Sequence, residues 1–200
     1  MNQIYNLIVI IAAQLLKIIA LFSPKMKLFV DGRKSVFQTL ANKIQSSDKT
    51  IWFHAASLGE YEQGLPVIEA IKQQFPNHKI VVTFFSPSGY EVRKNNTVAD
   101  VTVYLPLDTI SNAKQFIELV HPEMAFFIKY EYWPNYLNEL KKNNIEFKDG
   151  DTFTFKDNIF DYSEDKNIRK MAKLRHKMMK TMNKLVEKNN FKDKEIKFLG

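Results

Sequence analysis

The feature that most constrains the fold is an alternation, between residues 50 and 144, of short apolar runs with longer amphipathic segments. The runs are rich in β-branched and aromatic residues and cover residues 51–56, 79–85, 101–105 and 124–129. Each is followed by a turn and a helical period, at residues 60–75, 88–95, 111–120 and 134–143. Strands separated by helices form βαβ units, which build a parallel sheet with helices on both faces. We therefore predict an α/β, Rossmann-like domain over residues 25–145.

The composition excludes some kinds of chemistry. The chain has 200 residues, of which 45% are apolar and none is cysteine. It can therefore bury a core, but it has no disulfide, thiolate metal site or thiol nucleophile. The net charge is +7, and residues 163–200 account for it with twelve basic against five acidic residues, because residues 1–162 hold seventeen of each. We expect no nucleic-acid partner, since the predicted domain has no overall basic excess.

An apolar segment, residues 4–22, precedes the alternating region. It is about as long as a membrane-spanning helix, but Asn6, Gln14 and Lys17 interrupt it and would share one sector of a helix with Gln3. We predict a membrane-anchor helix over residues 1–24 that spans the bilayer or lies in its interface. A cleaved signal peptide and a buried soluble helix are the alternatives.

Basic residues follow this segment and indicate on which side of the membrane the domain lies. They are Lys25, Lys27, Arg33 and Lys34. Positive charges close to an anchor are retained in the cytoplasm. We therefore expect the protein at the cytoplasmic face of the inner (cytoplasmic) membrane.

The chain changes character after residue 145. Residues 146–155 alternate aromatic with polar side chains around Asp149 and Gly150, which predicts a β-hairpin. From Glu164 onward apolar residues recur at helical spacing with lysines between them, which predicts a basic amphipathic helix. We interpret this helix as a solvated surface helix, with docking on a membrane surface as the alternative.

Three polar motifs follow three of the predicted strands. The first turns through Ser57 and Gly59 and opens a helix at Glu60. The second contains Ser86, Ser88 and Gly89, and the third contains Lys129 and Glu131. Because the carboxyl ends of parallel strands meet at one edge, where open α/β sheets bind ligands, these motifs are expected to converge on one site. A helix that begins there offers unpaired N–H groups to an anionic or hydroxyl-rich substrate.

Two of these residues have simpler explanations. A glutamate in the first turn of a helix, as Glu60 is here, satisfies backbone N–H groups and interacts favourably with the helix dipole. Lys129 is equally explained as an ordinary charge at the end of a strand. On the residue pattern alone, the structural and the functional interpretations both stay open.

The motifs lie in four segments that together resemble one enzyme family. The segments HAASLGEYEQGLPVIEAI, VVTFFSPSGYEV, VYLPLDT and KYEYWPN, in this order and spacing, resemble the N-terminal domain of the 3-deoxy-D-manno-octulosonic acid (Kdo) transferases, inverting glycosyltransferases of the GT-B architecture. The resemblance covers residues 1 to about 145. It implies that this domain binds a lipid A precursor, that a second domain binds CMP-Kdo, and that the reaction takes place in the cleft between them. It implies no cofactor and no metal.

The resemblance also implies roles for individual residues. Glu60 would be the general base that takes a proton from the acceptor hydroxyl as that oxygen attacks the anomeric carbon. Glu131 would hold the acceptor or the base. The expected contacts with the acceptor are Ser57, Gly59, Ser86, Ser88, Gly89 and Lys129.

The family pattern is not found after residue 145. Residues 146–200 show no glycine-rich donor-binding loop, so we expect an unrelated tail and no CMP-Kdo site in this chain. We interpret the chain as a truncated Kdo transferase of lipopolysaccharide biosynthesis that transfers no Kdo alone. A non-catalytic, membrane-associated lipid-binding module and a sugar-nucleotide-binding protein of other specificity are the alternatives.

Overall fold

The structure is a computed structural model that describes residues 2–95, 98–128 and 132–149. Its helices are α1 (Asn2–Ile19), α2 (Pro24–Asp31), α3 (Val36–Lys43), α4 (Leu58–Gln74), α5 (Pro87–Arg93), α6 (Ile110–Val120) and α7 (Pro134–Lys142). Its strands are β1 (Lys49–Ala55), β2 (His78–Phe84), β3 (Val101–Tyr104), β4 (Pro122–Ile128) and β5 (Glu146–Asp149). The predicted α/β architecture is confirmed, and β1 to β4 and α4 to α7 lie within a few residues of the segments predicted for them.

The strands form one parallel sheet in the order β3-β2-β1-β4-β5. From β1 the chain proceeds outward through β2 to β3, then returns across the sheet to β4 on the other side of β1. The crossover direction therefore reverses between β1 and β4. In open α/β sheets, a crevice for ligands forms at the carboxyl ends of the two strands where this reversal occurs.

Apolar side chains cover both faces of the sheet. On β1, Ile51 and Phe53 join one buried cluster and Trp52 joins the other, as the two-residue period of a strand requires. The Trp52 cluster is completed by α3, α6 and α7, whereas the Phe53 cluster is completed by α4. The sheet thus lies between two helical layers, with the Phe53 ring stacked on Phe126 at 4.7 Å and the Trp52 ring 4.8 Å from Phe116.

Strand β5 adds the first residues of the predicted tail to the sheet. Residues 146–149 pair in parallel with β4, so they belong to the same sheet as the rest of the domain. The chain turns into this strand after α7 through Asn144, which has a positive φ of 54°. Residues 150–155 and the predicted basic helix lie outside the described residues, so the hairpin and the helix stay predictions.

Helix α1 contacts the rest of the domain with one of its sides. Tyr5 donates a hydrogen bond to Asp108 at 3.0 Å, and Asn6 accepts one from the backbone N–H of Ile110 at 2.8 Å. Large apolar side chains on the remainder of the helix are exposed, namely Ile4, Leu7, Ile8, Ile10, Ile11, Leu15, Ile18 and Ile19. No helix within residues 2–95, 98–128 and 132–149 has both the length and the hydropathy needed to span a bilayer.

Arg33 is one of the basic residues that follow the apolar segment, and it also has a structural role. Its guanidinium donates to the carbonyl oxygens of Phe29, Phe85 and Leu105 at 2.8–2.9 Å. It also lies over the Phe29 ring at 3.7 Å. Burial lowers the pKa of this guanidinium to about 10, so it remains charged at neutral pH. Arg33 therefore joins the α2–α3 connection to the loops that follow β2 and β3.

Candidate active site

Two of the three predicted motifs are adjacent at the carboxyl edge of the sheet. After β1 the chain passes through Ala56 to Ser57, the N-cap of α4, and after β2 it passes through Phe85 to Ser86, the N-cap of α5. The Ser86 N–H donates to the carbonyl oxygen of Ala56 at 2.8 Å, and the Phe85 N–H donates to that of Ala55 at 3.3 Å. These bonds extend the pairing of β1 with β2 into the loops and hold the beginnings of α4 and α5 side by side.

Glu60 lies in the first turn of α4, and its carboxylate reaches back over the loop. Oε2 accepts a hydrogen bond from the Ala56 N–H at 2.6 Å. The Ser57 hydroxyl makes no capping bond, so this carboxylate holds the entry to the helix instead. Oε1 has no hydrogen-bond partner among the described residues. One oxygen of Glu60 therefore serves the capping function proposed as its structural explanation, and the other is available to a ligand.

The remaining residues of these two motifs differ in what they present to a ligand. Ser88 is exposed, and its hydroxyl lies 2.9 Å from that of Ser86, which caps α5. Gly59 is exposed, and a Cβ placed on it would meet no atom within 4 Å. Gly89 is buried, and a Cβ there would lie 3.1 Å from the Leu58 nitrogen, so close packing explains this glycine. The acceptor contacts expected of these residues stay predictions.

The third motif is only partly described. Ile128, the last residue of β4, pairs with Ala55 at the end of β1, so β4 ends beside the first motif. Lys129 and Glu131 lie outside the described residues, and their predicted roles stay predictions. The motif resumes with Trp133, which is the N-cap of α7.

A buried polar network lies beneath the crevice. Trp133 donates its indole N–H to His54 Nε2 at 3.2 Å, and His54 Nδ1 lies 2.9 Å from the Thr83 hydroxyl. Trp52 donates its indole N–H to the same hydroxyl at 2.8 Å. Because an indole N–H can only donate, His54 Nε2 accepts, and the proton on Nδ1 is the one donated to Thr83. The network joins the end of β1 to β2 and to the beginning of α7.

Asp108 caps α7, whose own N-cap residue makes no side-chain capping bond. The Asp108 carboxylate accepts the backbone N–H groups of Asn135 and Tyr136 at 3.2 and 3.1 Å, and it also accepts the Tyr5 hydroxyl. Burial raises the pKa of Asp108, and these hydrogen bonds oppose the rise. A single carboxylate between β3 and α6 therefore fixes the beginning of α7 and the N-terminal part of α1.

Sequence reasoning missed these supporting residues for different reasons. His54 belongs to the first motif and Trp133 to the third, but nothing in the sequence indicates that they contact each other. Asp108 lies in the VYLPLDT segment, where an Asp-Thr pair before a helix predicts a helix cap. That pattern predicts a cap for α6, whose N-cap is Thr109, and not the cap that Asp108 gives to α7. Among the described residues, no cluster of His, Asp or Glu side chains is arranged to hold a metal ion.

Taken together, the strand order, the reversal between β1 and β4, and the polar loops at the carboxyl edge define a Rossmann-like α/β domain of the kind found in glycosyltransferases. The chain belongs to the Kdo transferase family, because a family model described as 3-deoxy-D-manno-octulosonic-acid transferase (kdotransferase) matches residues 32–199. This range includes nearly all of residues 146–200. The family match therefore extends into the segment that was expected to be an unrelated tail.

Curated relatives support the same family. The chain is 36% identical over 99 residues to the 3-deoxy-D-manno-octulosonic acid transferase of Haemophilus influenzae, a match that covers 48% of this chain and 23% of the relative. It is 35% identical over 86 residues to the Aquifex aeolicus enzyme, covering 42% and 24%, and 28% identical over 116 residues to the Chlamydia trachomatis serovar D enzyme, covering 57% and 27%. The matched segments thus span about a quarter of the length of these relatives.

Proposed function

We propose that this chain forms the acceptor-binding part of a Kdo transferase of lipopolysaccharide biosynthesis, in which Kdo passes from CMP-Kdo to a lipid A precursor. The observation that carries this proposal is the position of Glu60. Its carboxylate lies at the carboxyl edge of the sheet, beside the reversal of strand order, with one oxygen held by the Ala56 N–H. A carboxylate held in this way is oriented before the substrate arrives.

Glu60 acts as the general base in this proposal. A sugar hydroxyl is a weak nucleophile, and its reactivity increases if a carboxylate accepts its proton while the new glycosidic bond forms. The acceptor oxygen then attacks the anomeric carbon of Kdo, the bond from that carbon to the CMP phosphate oxygen breaks, and CMP leaves with the bonding electrons. One displacement inverts the configuration, so no covalent enzyme intermediate is required.

The loops around Glu60 supply binding groups for the acceptor. The N–H groups in the first turn of α4 have no partners within the helix, and the Ser57 hydroxyl makes no capping bond. With Gly59 and Ser88 exposed beside them, these groups suit the hydroxyls and phosphates of a glycolipid. Glu131 and Lys129 complete this acceptor site in the proposal, and a second GT-B domain binds CMP-Kdo across the cleft.

The proposal places the protein on the cytoplasmic face of the inner membrane through α1. Its contacts with the domain use Tyr5 and Asn6, whereas its large apolar side chains point away from the domain and are exposed. An amphipathic helix with this arrangement lies in the bilayer interface with its apolar side toward the acyl chains. The acceptor, a lipid, would then reach the site from the same membrane.

Binding to the two kinds of substrate tests the proposal with the chain itself. We expect the detergent-solubilised chain to bind a lipid A precursor saturably in calorimetry and to bind CMP-Kdo much more weakly. Ser57→Ala should weaken acceptor binding, whereas Ser111→Ala, an exposed serine in α6, should leave it unchanged. Tight binding of a sugar nucleotide without binding of the lipid would contradict this function and support a sugar-nucleotide-binding protein.

Catalysis is tested by supplying a donor-binding domain. We would join residues 1–145 to the remaining part of the Haemophilus influenzae relative and measure transfer from CMP-Kdo to the lipid A precursor. Turnover by the hybrid and none by the present chain alone is the expected result. If the hybrid folds and binds both substrates but shows no transfer, the assignment of the acceptor site is wrong.

A further inference from the structure

A groove between the end of α1 and α2 lies on a part of the surface that the proposed acceptor site does not use. Its volume is about 480 Å³, within the range of about 300–1,000 Å³ that is typical of small-ligand sites. The residues that line it include Lys17, Leu21, Lys27, Asp31 and Lys34. The groove thus combines positive charge with an apolar wall.

The charges in this lysine groove are not neutralised within the protein. Three lysines against one aspartate leave two positive charges. Asp31 pairs with Lys34 at 2.6 Å, and this hydrogen bond lowers the pKa of the Asp31 carboxyl. Lys17 donates only to the uncharged side chain of Gln14, at 3.2 Å. Lys27 lies near Asp31 and its charge also lowers the pKa of that carboxyl, but the carboxylate bonds directly to Lys34. Lys17 and Lys27 are therefore available to an anion.

Exposed apolar side chains accompany the residues that line the lysine groove. Leu21, which lines the groove, is 78% exposed. The next residue, Phe22, is 83% exposed, and Leu28, which follows Lys27 in α2, is 47% exposed. At a bilayer interface such side chains enter the acyl region, while lysine ammonium groups extend to the level of the phosphates. This combination favours the headgroup of a membrane lipid over a phosphate free in solution.

We propose that the lysine groove binds the phosphodiester headgroup of an anionic phospholipid while the apolar side of α1 lies in the bilayer. The proposal rests on the membrane docking of α1 proposed above, and it adds the chemical class of lipid on which docking depends. The phosphate oxygens accept hydrogen bonds from Lys17 and Lys27, while Lys34 stays paired with Asp31. A lysine near an anionic surface increases binding by about fivefold, so the groove should make membrane binding sensitive to lipid charge.

Co-sedimentation of the full chain with vesicles tests the proposal. The variant is Lys17→Gln with Lys27→Gln, and the matched control, Lys114→Gln with Lys141→Gln, removes the same charge from exposed positions on α6 and α7. Residues 163–200, which carry the net positive charge, are unchanged in both variants. On phosphatidylcholine vesicles that contain phosphatidylglycerol, the groove variant should bind roughly 25-fold more weakly. The control should lose less than about threefold, because charges distant from the membrane are screened.

Two further arms separate the possible failures. On phosphatidylcholine alone, both variants should bind as the unmodified chain does, and failure of the unmodified chain to bind there would overturn the membrane docking on which the proposal rests. Equal losses by the two variants on anionic vesicles would overturn the lysine groove as a site. Inorganic phosphate should release the bound chain no better than chloride at equal ionic strength. Greater release by phosphate would show that the groove binds free phosphate and would overturn the lipid assignment.

Discussion

The two carboxylate oxygens of Glu60 have different surroundings. Oε2 accepts the Ala56 N–H at 2.6 Å, and Oε1 has no partner in the part of the chain that is described. The first contact would exist in a protein without any activity, because it secures the beginning of α4. The second oxygen distinguishes the functional role, and a substitution that retains the first contact can test it.

Glu60→Gln is that substitution. The amide oxygen can still accept the Ala56 N–H, but the side chain can no longer accept a proton from the acceptor hydroxyl. In the hybrid enzyme described above, we expect kcat to fall by about 10²–10⁴-fold with little change in acceptor KM. Thermal denaturation provides the control, since for a residue that only caps its helix this change would lower stability by about 1 kcal/mol or less and leave kcat nearly intact.

Thr83 is the centre of the buried network, and its neighbour Thr102 provides a matched comparison. Thr83→Val removes the oxygen that receives the N–H groups of Trp52 and His54. Both buried donors then lose this acceptor, so we expect a loss of about 2–5 kcal/mol in the free energy of unfolding. The Thr102 hydroxyl is buried without a hydrogen-bond partner among the described residues. Thr102→Val should therefore be neutral or stabilising in urea titrations, and equal losses would contradict the network.

The sequence pattern predicted functional positions for residues within a single loop. It did not predict contacts between residues that are far apart in the chain. Glu60 and Ser57 follow a strand and open a helix, so their position was predictable from the residue pattern. The contact between Trp133 and His54 and the cap that Asp108 gives to α7 join residues 79 and 27 positions apart. The fold brings these residues together, and no spacing rule connects them.

At the scale of secondary-structure elements, α4 contains two glycines, one with open space around it and one that is closely packed. A Cβ on Gly59 would meet nothing within 4 Å, whereas a Cβ on Gly64 would lie 2.2 Å from Ile128 Cδ1 on β4. Gly59→Ala should stabilise the protein by about 0.5–1 kcal/mol through helix propensity. Gly64→Ala should destabilise it, because overpacking of about 1–3 kcal/mol exceeds that gain. Chemical denaturation measures both effects, and stabilisation by Gly64→Ala would contradict the close packing of α4 on β4.

The Asp108 cap gives α7 a pH-dependent contribution to stability. Burial raises the pKa of Asp108 above its ordinary value of 3.8, so the folded state binds the proton more tightly than the unfolded chain does. The stability from this group is complete below pH 3.8 and is lost as the pH rises through the folded-state pKa. Asp108→Asn cannot titrate. The unfolding free energy of the unmodified protein relative to this variant should therefore fall between acidic and neutral pH.

The elements themselves were only partly predictable. The strands β1 to β4 are buried runs of β-branched and aromatic residues between helical periods, which is a strong signal. Strand β5 has only four residues at the edge of the sheet, and its alternation is compatible with a hairpin as well. Helices α2 and α3 have eight residues each, too short for a periodic pattern to stand out from a connecting segment.

At the scale of the whole molecule, the exposed side of α1 is expected to determine membrane binding. Ile8 on α1 and Val92 on α5 are 59% and 60% exposed, so they differ in location and not in accessibility. Ile8→Glu replaces an apolar group that would enter the bilayer, and we expect at least about tenfold weaker binding to neutral vesicles in flotation assays. Val92→Glu should leave binding unchanged. Equal behaviour of the two variants would show that α1 does not enter the bilayer.

The attachment of α1 to the loop before α6 also bears on the order of events during synthesis. Tyr5 precedes Asp108 by 103 residues, and Asn6 precedes Ile110 by 104. A ribosome adds about 5–20 residues per second, so α1 emerges roughly 5–20 s before its partners in the domain. Under the proposed docking, the bilayer is the apolar phase with which the helix interacts during this interval. In that case α1 meets the membrane first, and the sheet is completed on a nascent chain that is already held at the surface where the proposed lipid acceptor resides.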